Sequence, residues 1–114
     1  MAFNQKEKLL IEAVVGVFIE RHRPPVHLRE KVDWGFHLSG ESVEIFEIRP
    51  QFNKPAVKLQ HAFAKATRVK SRDVWKVYWM RGTLKWHPHE PAEVKELEDF
   101  LAAVDTDKHH CFFG

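Results

Sequence analysis

The chain has a single cysteine, Cys111, so no disulfide can form within it, and a reducing compartment is expected. Glycine is scarce, at five residues. No P-loop, no Gly-rich dinucleotide turn and no Gly-x-Ser-x-Gly elbow occurs, which argues against a phosphate cradle built from backbone amides. No apolar run approaches the roughly 20 residues that span a bilayer. The opening residues, Met1 to Lys8, carry charges but no apolar signal core before a small-residue cleavage site. These absences give the expectation of a cytoplasmic protein with no membrane partner. At 114 residues and 44% hydrophobic, residues 1–114 fit one domain with one core.

Charge and aromatic residues, by contrast, are concentrated. Residues 58–89 hold eight Lys/Arg and one acid, Asp73, together with Trp75, Trp79, Trp86 and the only tyrosine, Tyr78. Residues 1–57 balance eight basic against eight acidic side chains, and residues 90–114 hold two basic against seven acidic. A basic, aromatic middle points to a phosphate-bearing partner, because Lys and Arg attract phosphate and rings stack on bases.

The element pattern is α+β. Asn4 with Glu7 three residues on is a capping box, and Leu10, Ala13, Val14, Val17, Phe18 and Arg21 trace one helical stripe that Arg23-Pro24-Pro25 ends. Val32, Trp34, Phe36 and Leu38 alternate with polar or small residues as a half-buried strand. Across the turn at residues 39–42, the segment Val43 to Arg49 is apolar on both faces, which predicts a central or doubly covered strand closed by Pro50. Residues 51–61 read as a loop broken by Asn53-Lys54-Pro55.

Residues 62–69 fit a helix or a strand. The strand is preferred because pairing across Ser71-Arg72 sets Val69 opposite Val74 and small Ala64 opposite large Trp79. Next comes a hairpin with a two-residue loop at Arg81-Gly82. It pairs Trp79 with Leu84 and Val77 with Trp86 on the apolar face, and Tyr78 with Lys85 and Lys76 with His87 on the other. Arg is a poor first residue for a type I′ turn, which leaves room for a longer loop. The last helix is predicted to start near Pro91, with Val94, Leu97, Leu101 and Val104 buried. The whole is an antiparallel meander of four or five strands with an N-terminal and a C-terminal helix packed on it.

One face then gathers Lys65, Thr67, Lys76, Tyr78, Lys85 and His87. Of these, Lys65, Lys76, Tyr78, Lys85 and His87 are the candidate nucleic-acid-binding residues, and the three Trp are assigned to the core. The alternative for the same residues is an ordinary solvated sheet face.

The acids Asp33, Glu44 and Glu47 form a second candidate set. Glu47-Ile48-Arg49 is similar to the Glu-x-Lys pair of some metal-dependent nucleases, but with Gly40-Glu41 as the loop, Glu47 falls on the apolar face and the other two do not. An ion pair of Glu47 with Arg49 or His37 is the structural alternative. The eight histidines, including His87, His89 and the run His109-His110-Cys111, match no standard zinc spacing, so no metal, cofactor or catalytic residue is assigned.

The chain resembles small bacterial proteins grouped as domain of unknown function 3024. The resemblance is carried by Phe18-Ile19-Glu20-Arg21 with Arg23-Pro24-Pro25, by Ser42 through Pro50, and by Ala64-Lys65-Ala66 and Val69-Lys70-Ser71. It continues through Trp75 to Arg81, Leu84-Lys85-Trp86-His87 and the terminal Cys111-Phe112-Phe113-Gly114. It implies a stand-alone bacterial cytoplasmic domain and brings no activity with it. Three functions follow as expectations: a non-catalytic domain binding single-stranded nucleic acid, a protein-interaction domain that pairs with itself or another protein, and a metal-dependent hydrolase around Glu47.

Overall fold

A computed structural model describes residues 3–80 and 85–106. Helix α1 is Gln5–His22. Strands β1 (Asp33–Ser39), β2 (Ser42–Gln51), β3 (Lys54–Val69), β4 (Val74–Met80) and β5 (Trp86–Val94) follow, and helix α2 is Leu97–Thr106. The strands form one antiparallel sheet in the order β1-β2-β3-β4-β5, as the meander reading expects.

The capping box at the start of α1 is present. The Asn4 side chain accepts from the Glu7 amide at 2.8 Å, and the Glu7 carboxylate accepts from the Asn4 amide at 2.9 Å. The buried face of α1 differs from the expected stripe. Ile11, Val15, Phe18 and Ile19 are buried, while Leu10 and Val17 are exposed. Apolar residues surround most of this helix, so helical periodicity does not select a face, and the sheet selects one turned by a residue.

Both helices lie on one face of the sheet. Val15, Phe18, Phe100 and Val104 pack there against Val43, Ile45, Ala64, Ala66, Trp75 and Val77. Phe63 is the extra residue where β3 bulges between the Ile45–Ala64 and Phe46–Ala62 pairs. The bulge turns its ring to the core, 5.2 Å from Trp34 in an edge-on contact.

Two expected pairings are found as read. Trp34 faces Glu47 across β1–β2. Ala64 faces Trp79 across β3–β4, which establishes residues 62–69 as strand.

Three expectations are corrected. First, residues 51–61 are not a loop: β2 and β3 run on past their neighbours as a two-stranded arm turning at Phe52-Asn53. The prolines do not end it, because neither β1 nor β4 pairs with the arm and Pro50 and Pro55 deprive no outer neighbour of a donor. Second, the helix does not start near Pro91. Pro88 and Pro91 both lie in β5, which is an edge strand, and α2 begins at Leu97. Third, the β4–β5 register is Met80–Trp86, Trp79–His87 and Tyr78–Pro88. The connection therefore spans residues 81–85, of which 81–84 lie outside the described residues. Relative to a two-residue loop the pairing slips by an odd number, which exchanges the faces of β5.

Candidate functional site

On the sheet face away from the helices, the register lines up Glu44, Lys65, Tyr78 and Pro88 in one row across β2 to β5. The row beside it holds Ser42, Thr67, Lys76 and Glu93, and the Ser42 and Thr67 hydroxyls share a hydrogen bond of 2.7 Å. Trp86, paired with Met80, joins this face because of the register change. The Lys65 ammonium stands 5.1 Å from the Tyr78 ring centre and 5.0 Å from that of Trp86. A cation at that distance from two rings is held by their quadrupoles, and both rings remain partly exposed. Beside them is a cleft of about 240 Å³ lined by Lys76, Tyr78, Pro88, Ala92 and Glu93. Among the described residues no helix covers this face.

Of the five candidate binding residues, Lys65, Lys76 and Tyr78 come together as read. Lys85 is exposed just ahead of β5. His87 does not share the face. It pairs with Trp79 on the helix side, with ring centres 6.0 Å apart, and its Nε2 is buried without a hydrogen-bond partner among the described residues. Its place as an aromatic on the open face is taken by Trp86, which the two-residue loop had assigned to the core. The available signal is in the sequence: Arg81 is a poor first residue for a type I′ turn, which argues for a longer loop and hence the other parity.

The basic surplus of the middle segment is partly neutralised by folding. Lys70 reaches Glu7 at 3.8 Å and Glu41 at 3.6 Å. Arg68 pairs with Asp73 and reaches Glu7. Arg72 makes a two-pronged pair with Glu93, at 3.0 and 2.6 Å, and this lowers the Glu93 pKa. Lys65, Lys76 and Lys85 make no ion pair among the described residues; Lys65 stands over both rings and Lys76 shares the cleft with Tyr78.

The carboxylates do not converge. Asp33 and Glu44 lie on the open face, but their β1–β2 pairs, Asp33–Ile48 and His37–Glu44, are four positions apart, or about 13 Å along the strands. Glu47 is on the helix side and pairs with Arg49 at 3.3 Å, the structural alternative for this residue. Asp33 is gripped by Arg23 at 2.9 and 2.8 Å. That guanidinium holds the Asp33 carboxyl below the usual carboxylate range and is itself pushed up. No three His, Cys, Asp or Glu side chains come together as a metal-holding group among the described residues. The run His109-His110-Cys111 lies outside them. No helix among the described residues is long and apolar enough to cross a membrane.

Neither the curated proteins nor the solved structures contain a match to this chain. One family model does match, over residues 3–114, so the resemblance carried by the Trp-rich strands holds along nearly the whole sequence. The chain belongs to the family described as domain of unknown function DUF3024.

Proposed function

We propose that this protein is a non-catalytic binding domain of the bacterial cytoplasm that takes a short stretch of single-stranded nucleic acid on the open face of its sheet. The observation that carries this reading is the position of Lys65 between the rings of Tyr78 and Trp86, with Lys76 one row away. Stacking platforms for single strands combine these parts: rings take base faces without regard to sequence, and ammonium groups take the phosphates between them. The cleft beside Tyr78 gives a second base or a sugar a place against Pro88 and Ala92.

Glu44 and Glu93 lie in the same rows as the lysines and limit the net positive charge of the face. Binding is therefore weak and short in site size, and it favours an extended strand over a duplex. With Lys65, Lys76 and Lys85 as the phosphate contacts, the slope of log K against log salt is about −2 for a single strand.

Fluorescence anisotropy with a labelled homopyrimidine oligonucleotide tests this. At low salt the wild type binds with that slope, and Lys76→Ala with Lys85→Ala weakens binding and reduces the slope by about 1.4. Absence of binding at low salt, or a slope indifferent to both substitutions, rules the reading out.

A further inference from the structure

We infer that two copies of this chain associate by reciprocal insertion: the β2–β3 arm of each enters the groove between α1 and α2 of the other. This inference is independent of the sheet-face reading and leaves that face free.

The arm presents what a folded surface ordinarily covers. Phe52 at its tip is 97% exposed, and Val57 and Leu59 are also exposed. Neither β1 nor β4 pairs with it, and a two-stranded ribbon alone is marginally stable in water. Within residues 48–60 the charged side chains are Arg49, Lys54 and Lys58, all basic. One anchor to the body is the Lys58 ammonium, which donates to the Glu30 carbonyl at 2.7 Å.

The groove presents the complement. It measures about 280 Å³, and its apolar lining includes Val14, Val17 and Leu101, with Glu98 and Asp105 on the α2 side and Arg21 on the α1 side. Val17 is 63% exposed there. Helix α2 carries Glu98, Asp99 and Asp105 and no basic residue, and two of these acids, Glu98 and Asp105, border the groove that receives the basic arm. An aromatic tip with flanking cations and an apolar cleft bordered by two acids and one cation, Arg21, are complementary in polarity and largely in charge.

The two features lie at the same end of the molecule. The groove closes near the last turn of α1, where His22 Nε2 meets Asp105 at 3.1 Å. The arm is rooted beside the segment that follows α1, where Arg23 holds Asp33 and Lys58 holds Glu30. Two copies meeting at this end about a two-fold axis place each arm over the partner's groove. From Ile48 to Phe52 the arm projects about 13 Å, close to the length of α2 at about 15 Å. A two-fold arrangement makes both contacts at once and closes the assembly.

Sedimentation and light scattering of the full chain up to millimolar concentration, with Phe52→Asp and Val17→Asp, test the inference. Both sites are on the surface, and circular dichroism confirms that each variant folds. The wild type is expected to be a dimer, with each variant weakening the dimer about tenfold or more, the contribution of one buried apolar side chain. Mixing the two variants restores association, because one intact arm then meets one intact groove.

The inference is overturned by a monomeric wild type, or by a dimer that survives both substitutions. It is also overturned by a monomer that dimerises only when cut after Thr106, which would assign the groove to the chain's own last residues. A monomer whose oligonucleotide affinity falls with Phe52→Asp would assign the arm to nucleic acid instead, and that too overturns it.

Discussion

Met80 pairs with Trp86, and this pairing puts the Trp86 indole beside Lys65 on the open face rather than in the core. Trp75, one of the other two Trp in the basic segment, is 5% exposed and packs 5.9 Å from Phe3 among the core residues. The two tryptophans therefore differ in consequence. Trp75→Ala is expected to cost about 3–5 kcal/mol. Trp86→Ala forfeits a surface cation–π contact of about 0.5–1 kcal/mol. Urea denaturation of both variants measures the difference. Equal large losses would mean that Trp86 is core and that the register is wrong.

Gly35 and Phe46 make a second testable pair. They face each other across β1–β2, and a Cβ on Gly35 would stand 2.7 Å from the Phe46 ring. That ring is buried on the open face, with His37 5.4 Å away. Gly35→Ala is expected to destabilise by about 1–3 kcal/mol through overpacking. In a Phe46→Leu background the same substitution should cost less, a coupling that a double-mutant cycle reads directly.

The capping box predicts a local effect. Asn4→Ala removes the acceptor for the Glu7 amide and should cost about 1 kcal/mol, measured by thermal or chemical denaturation. Hydrogen exchange should show the loss concentrated in the first turn of α1.

Asp33 gives the sign of an acid effect. Its pKa is lowered in the folded state by the Arg23 hydrogen bonds, whereas an unfolded Asp titrates near about 3.9. As pH falls, the unfolded chain takes up this proton first. The contribution is complete above the unfolded value and is lost as pH falls through the folded one. Stability measured from neutral pH downward should fall in that window, and Asp33→Asn should flatten the fall. An acid limb unchanged by Asp33→Asn would show that the Arg23 pair does not contribute.

The fold was largely readable where local chemistry and alternation agreed. Gly40, at φ +60°, sets the β1–β2 turn, and the alternation of Trp34, Phe36 and Leu38 then fixes the pairing of Glu47. The Ala64–Trp79 fit did the same for β3–β4. Where one residue type serves two structures, the sequence leaves both open. Pro91 suits a helix start and an edge strand equally, and only the sheet decides between them. Pro50 and Pro55 look like breakers unless the strand has no outer neighbour. Helix α1 is apolar over most of its circumference, so its buried face is set by what it meets. The candidate site was legible in Lys65, Lys76 and Tyr78, which sit on strands with settled register. Trp86 and His87 exchanged places because their faces depended on the parity of one loop.

The most direct measurement is the affinity of the protein for a labelled single-stranded homopyrimidine at low salt, compared with a Tyr78→Ala, Trp86→Ala double variant that remains folded. Loss of both stacking rings should weaken binding by at least about tenfold. A double variant that binds as tightly as the wild type, or a wild type that does not bind, would contradict a nucleic-acid role for this face.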